Sequence, residues 1–107
     1  MFKINEYFEG KVKSLAFEDQ KGSATIGVMA PGKYEFNTSQ REYMTVISGK
    51  LTVKLPNSAE WKEFDTHQTF IVEPKQKFQL RIDNISTYIC RYEDIKEDCN
   101  CPDCNCR

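Results

Sequence analysis

Apolar residues recur at every second position through most of this chain, a period that belongs to β-strands. The clearest case is residues 50–55. There Leu51, Val53 and Leu55 alternate with Lys50, Thr52 and Lys54, giving one strand two unlike faces. Val12, Leu15, Ala16 and Phe17 lead into a polar break over residues 18–22, and a second apolar run fills residues 24–29. Tyr34 and Phe36 alternate with Glu35 and Asn37, and further short strands are predicted over residues 61–64, 70–72, 78–82 and 87–92. Turn chemistry separates these runs at Pro31-Gly32, Ser48-Gly49 and Leu55-Pro56-Asn57-Ser58, because proline presets φ and glycine accepts a positive one. The pattern predicts eight or nine short strands and no amphipathic helix. So many short strands in so small a chain bury one face each only as a sandwich or a barrel. Residues 1–9, with Ile4, Tyr7 and Phe8, read as a turn or as an edge strand packed on the outside.

Composition narrows this picture. A chain of 107 residues, 39% hydrophobic and 29% charged, is one globular domain with a single core. Its net charge of −1 provides no field to recruit nucleic acid or an acidic membrane. No apolar run reaches membrane-spanning length and no signal-peptide pattern opens the chain, so a cytoplasmic location is expected. The charge is unevenly spread. Residues 93–107 carry Glu93, Asp94, Glu97, Asp98 and Asp103 against Lys96 and Arg107, with Ile95 the one aliphatic side chain, and cannot bury a core. The expected organisation is therefore a β domain over residues 1–92 and an acidic, Cys-rich tail over 93–107.

Six residues separate Glu42 from Gly49 at the two ends of a strand-like run, a spacing that resembles the second half of the first cupin motif. A closer resemblance is spread along the chain, in Asn5-Glu6-Tyr7-Phe8-Glu9-Gly10-Lys11-Val12-Lys13-Ser14, Gly27-Val28-Met29, Met44-Thr45-Val46-Ile47-Ser48-Gly49 and Tyr88-Ile89-Cys90-Arg91-Tyr92. Over residues 1–92 the sequence is similar to the pyrimidine/purine nucleoside phosphorylases, a family of single-domain cupins. The resemblance implies an all-β fold, a single cupin-type jelly-roll β-barrel. It also implies an enzyme, a pentosyltransferase that reversibly phosphorolyses a broad range of nucleosides to free base and (deoxy)ribose 1-phosphate. Inorganic phosphate is then the co-substrate and there is no cofactor. Cupins are usually dimers, so a homodimer is expected.

The departures from the metal-binding cupin pattern matter as much. A histidine pair ahead of Glu42 would fall on Phe36/Thr38 or Glu35/Asn37, and the second motif's histidine near Lys77. None of these is an imidazole, and one carboxylate cannot converge the three or four ligands that zinc, iron or manganese needs. The barrel is read as metal-free. His67, the single histidine, falls in a polar loop.

Phosphorolysis needs a phosphate held against C1′, an oriented ribose, an anion beside the developing sugar cation and relief for the departing base. Glu42 and Arg91 are the candidate catalytic residues. Glu42 would bind ribose hydroxyls or stabilise charge; the alternative is a carboxylate on the barrel rim paired with Lys or Arg. Arg91 is the candidate phosphate ligand if Thr87, Ile89 and Arg91 form the interior face of the last strand, which the family resemblance favours. If Tyr88, Cys90 and Tyr92 face inward instead, Arg91 is a surface or dimer-contact residue. Tyr34, Tyr43, Thr45 and Tyr92 complete the candidate substrate-binding set, with Tyr34, Phe36 and Tyr43 able to stack on a base of any identity. In an ideal strand Thr45 points away from Glu42, whereas Met44 and Val46 share its face. Arg81, alternating with Phe78, Leu80 and Ile82, is expected to face outward, and Cys90 to act as a small buried hydrophobe.

Four thiols, Cys99, Cys101, Cys104 and Cys106, crowd the tail at a density that suits a tetrahedral Zn(II) or a Cu(I) ion, or else a flexible extension. A second reading of the whole chain follows from them: a non-catalytic, cupin-like small-molecule-binding protein with a thiol metal-binding tail.

Overall fold

A computed structural model of the chain describes residues 2–94. Ten strands and no helix fill that span: β1 (Lys3–Tyr7), β2 (Val12–Asp19), β3 (Gly22–Met29), β4 (Gly32–Asn37), β5 (Arg41–Ser48), β6 (Lys50–Lys54), β7 (Trp61–Asp65), β8 (Thr69–Val72), β9 (Lys77–Ile82) and β10 (Ser86–Glu93). The strands form two sheets, ordered β1-β2-β3-β10-β5-β8 and β4-β9-β6-β7. No described helix is long and apolar enough to cross a membrane.

The topology is that of one long antiparallel ribbon rolled on itself. β3 pairs with β10, β4 with β9, β5 with β8 and β6 with β7, so chain-distant strands are partners and the fold is a jelly roll. The two sheets are not closed by hydrogen bonds into one continuous barrel; they face each other as a jelly-roll-like sandwich. β1 adds an edge strand to β2, in register from Lys3 opposite Ala16 to Tyr7 opposite Val12.

Alternation fixes what lies between the sheets. Met44 and Val46 on β5, Leu51 and Val53 on β6, Phe70 and Val72 on β8, and Phe78, Leu80 and Ile82 on β9 are all buried, and together with Tyr34, Tyr88 and Cys90 they make the core. Burying each such side chain contributes about 1.5–3 kcal/mol, which is what holds so many short strands in one register. Thr52 departs from the simple alternation: it lies on the outward face of β6 and is nonetheless buried.

One turn and the bulge beside it explain local sequence choices. Gly49 holds φ +82° between β5 and β6, and a Cβ there would stand 2.4 Å from the Ser86 hydroxyl, so the Ser-Gly turn admits no larger residue. A register shift against β10 falls beside it, where Thr87 pairs with Ser48 and Tyr88 with Val46, leaving Ile47 as the extra residue of a bulge.

Candidate active site

The inner face of the six-stranded sheet is not filled everywhere. Between it and the edge of the four-stranded sheet lies a cavity of about 310 Å³. Its floor comes from the sheet's inner positions: Ser14 on β2, Thr25 and Met29 on β3, Tyr88 and Tyr92 on β10, Glu42 and Met44 on β5. Phe36 on β4 and Phe78 on β9 close the opposite side, Glu35 and Asn37 stand at the rim, and Tyr7 and Phe8 form the remaining wall.

Tyr7 ends β1 and Phe8 opens the turn to β2. Phe8 (φ +54°), Glu9 (φ +59°) and Gly10 (φ +86°) are three successive left-handed residues, closed by Gly10 N–H donating to the Tyr7 carbonyl. Left-handed backbone is uncommon for side chains of this size and persists only where surroundings hold it. Here the aromatic contacts do so. Phe8 packs on Tyr34 at 4.9 Å and on Phe36 at 5.5 Å between ring centroids, and Tyr7 meets Phe36 edge-on at 5.9 Å.

The floor is polar but nearly uncharged. Burial raises the Glu42 carboxyl above the ordinary carboxylate range, opposed by a hydrogen bond that the Cys90 thiol donates to Glu42 Oε1 at 3.5 Å. Burial pushes the Cys90 thiol well up, and the neighbouring Glu42 charge pushes it further, so Cys90 stays protonated and acts as a donor. Tyr88 and Tyr92 are likewise held neutral, mainly by burial. The Tyr92 hydroxyl shares a 3.0 Å hydrogen bond with Thr25 Oγ1. Gly27 makes room for this arrangement. A Cβ there would lie 2.4 Å from the Tyr88 hydroxyl, so the Tyr88 ring rests directly on the β3 backbone.

The structure thus brings together Phe36, Glu42 and Tyr92 of the sequence-predicted residues and places Arg91, Tyr43, Thr45 and Tyr34 elsewhere. Arg91 is corrected in placement. Tyr88, Cys90 and Tyr92 take the inner face of β10, and Arg91 lies outside opposite Ala24 and Tyr43, bound to both carboxylate oxygens of Asp19 at 2.8 and 2.9 Å. That guanidinium holds the Asp19 carboxyl down to about 2. Tyr43 is also on the outer face, donating to Glu93 Oε1 at 2.6 Å beside Arg41. Thr45 shares a 2.7 Å hydrogen bond with Thr69 Oγ1 on that same face. Tyr34 faces inward but is a core residue: it is 4% exposed and its hydroxyl donates to the Ala30 carbonyl at 2.6 Å. Arg81 faces outward as expected and stacks over Trp61 at 5.2 Å. His67 sits in the β7–β8 loop with φ +75°, away from the cavity. Among the described residues no three His, Cys, Asp or Glu side chains converge to hold a metal, and Cys99, Cys101, Cys104 and Cys106 lie outside the described residues.

A family model described as pyrimidine/purine nucleoside phosphorylase matches residues 2–92. The chain belongs to the pyrimidine/purine nucleoside phosphorylase family. A curated pyrimidine/purine nucleoside phosphorylase from Pseudomonas entomophila (strain L48) is 56% identical over 94 residues, 88% of this chain and 100% of its own length. One from Cellvibrio japonicus (strain Ueda107) is 58% identical over 93 residues, covering 87% of this chain and 100% of the relative. Among solved structures, a protein of unknown function from Vibrio parahaemolyticus superposes with a TM-score of 0.84 at 39% identity, covering 87% of this chain and 99% of that one. An RmlC-like cupin from Shewanella frigidimarina superposes with a TM-score of 0.66 at 16% identity over 91% of this chain and 87% of its own, a likeness of fold alone. Every residue lining the cavity falls within the span matched to the pyrimidine/purine nucleoside phosphorylase family, and the cysteine tail lies beyond it.

Proposed function

We propose that this protein is a reversible, broad-specificity nucleoside phosphorylase that needs no metal, and that the cavity above Glu42 is its nucleoside site. The observation that carries the reading is the cavity's division into two ends. Tyr7, Phe8 and Phe36 make an aromatic wall on one side. Aromatic rings stack on any planar base, which suits purines and pyrimidines alike. At the other end Glu42, Ser14, Thr25, Tyr88 and Tyr92 offer hydroxyls and one carboxylate, the complement of a ribose.

In the displacement, a phosphate oxygen bonds to C1′ while the C1′–N bond breaks, its electron pair leaving on the base nitrogen. The proton on hydrogen phosphate passes to the departing base, so the reaction balances without an external acid. Glu42 accepts hydrogen bonds from ribose hydroxyls and, when ionised, sits beside the cationic sugar of the transition state. The buried setting raises the worth of that charge, since little water screens it. Metal independence is supported by the donor set: the cavity holds carboxylates at Glu35 and Glu42 and no imidazole, a poor match to the ligand spheres of zinc or iron.

Base and ribose 1-phosphate release should be measured for a panel of purine and pyrimidine nucleosides in phosphate, with and without EDTA. Release from both base classes, insensitive to chelation, is expected. Release that EDTA abolishes and metal restores overturns the metal-free mechanism. No release from any nucleoside would favour the small-molecule-binding alternative. The setting we infer is cytoplasmic, and the assembly a homodimer.

A further inference from the structure

Phosphorolysis brings a dianion to C1′, yet among the described residues the cavity is lined by no lysine or arginine; its charged side chains are Glu35 and Glu42. A phosphate placed there would face a carboxylate without a counter-charge, which costs heavily in a desolvated site. The anion must approach from elsewhere.

A second, more open recess of about 640 Å³ adjoins the cavity, and the two share Thr25 and Tyr92 as lining residues. The Thr25–Tyr92 hydrogen bond at 3.0 Å therefore belongs to the lining of both. Lys3, Glu18, Ser23 and Gln40 also line this recess. Ser23 Oγ donates to Glu18 Oε2 at 3.2 Å, and Gln40 Nε2 donates to Asp94 Oδ1 at 2.6 Å. Arg41 and Arg91, on the two strands that carry Glu42 and Tyr92, are tied up by Glu73, Glu93 and Asp19. Lys3 makes no salt bridge with any described residue.

We propose that this recess is the phosphate subsite, with Lys3 as its cation and the Thr25 and Tyr92 hydroxyls as the donors that hand the anion across to the sugar. The proposal rests on the nucleoside-phosphorylase reading of the cavity. It divides the labour so that each co-substrate meets the charge it needs: carboxylate and hydroxyls toward the ribose, ammonium and hydroxyls toward the phosphate. Glu18 is the opposing charge in the recess and sets how tightly phosphate is held.

The test is steady-state kinetics with phosphate and nucleoside varied separately. Lys3→Ala should raise the KM for phosphate roughly tenfold, the loss of one charge-assisted contact, and leave the KM for nucleoside unchanged. Lys3→Arg should restore it, and Glu18→Gln should shift the phosphate KM the other way, downward. A phosphate KM within about twofold of wild type in Lys3→Ala, or the two KM values rising together, overturns the proposal. The ³¹P NMR line width of inorganic phosphate gives a readout that does not need turnover. Broadening by the wild-type protein that Lys3→Ala removes supports the subsite even where no nucleoside is cleaved, which would count against the nucleoside reading alone. Equal broadening by both proteins, or none by either, sinks the subsite even in an active enzyme.

Discussion

Glu42 is a carboxylate kept where a carboxylate is least comfortable. Its folded pKa is raised by burial, so the fold binds the proton more tightly than the unfolded chain does. The group therefore favours the fold below the unfolded pKa, and that contribution is lost as pH rises through the folded value. Glu42→Gln, which cannot ionise, is expected to melt higher than wild type at pH 7 and close to it near pH 4, while losing roughly 10²-fold or more in kcat if the carboxylate works on the sugar. Thermal melts at the two pH values and one turnover assay check both halves. Gly27 gives a second expectation. A methyl group there meets the Tyr88 ring at 2.4 to 2.6 Å, so Gly27→Ala must push that ring into the cavity. Overpacking of this kind costs about 1–3 kcal/mol, and the nucleoside KM should rise along with the fall in Tm.

At the scale of elements, sequence periodicity read most strands correctly and located Glu42, Met44 and Val46 on one face. It also anticipated the edge-strand option for residues 1–9, the Ser48-Gly49 turn and the outward Arg81. What it did not reveal was which face of β10 points inward. Alternation offers two equivalent sets, Thr87-Ile89-Arg91 and Tyr88-Cys90-Tyr92, and only the pairing of β10 between β3 and β5 chooses the second. Tyr34 and Tyr43 were legible as aromatics near a site but not as a core anchor and an outer-face ligand of Glu93. Ser14, Thr25, Tyr88 and the Tyr7–Phe8 turn escaped because nothing local marks them; their neighbours in space are distant in the chain. The one available hint was the aromatic pair ahead of Gly10, a strange place for two large rings unless something covers them. That turn carries its own expectation. Phe8→Ala should raise the KM for purine and pyrimidine nucleosides alike, by roughly tenfold for one lost stacking contact, and leave the phosphate KM alone. An effect confined to one base class would argue against a shared stacking wall.

For the whole molecule, the unpartnered surface is the outer face of the six-stranded sheet. Register places Ile4, Leu15, Ile26 and Ile89 in one row across four strands, and Val28, Ile47 and Ile71 are also exposed in the same sheet. An uncharged apolar row of this kind suits the isologous contact that the proposed homodimer needs. Light scattering should give twice the mass of a 12.5 kDa chain, and Ile26→Lys should reduce it to the monomer without unfolding the sheet. A monomeric wild type would refute the dimer inferred for this face.

β10 lies between β3 and β5, at the heart of the larger sheet, yet it is the last strand of the described chain to be synthesised. A nascent polypeptide that has emerged only as far as Ile85 has both flanks of that sheet and nothing to join them. Its exposed strand edges have no native partner until the eight residues of β10 clear the ribosome. Completion of the fold and completion of the cavity are thus the same event, since Tyr88 and Tyr92 arrive with the strand that closes the sheet. A prematurely terminated chain is an aggregation hazard rather than a half-active enzyme.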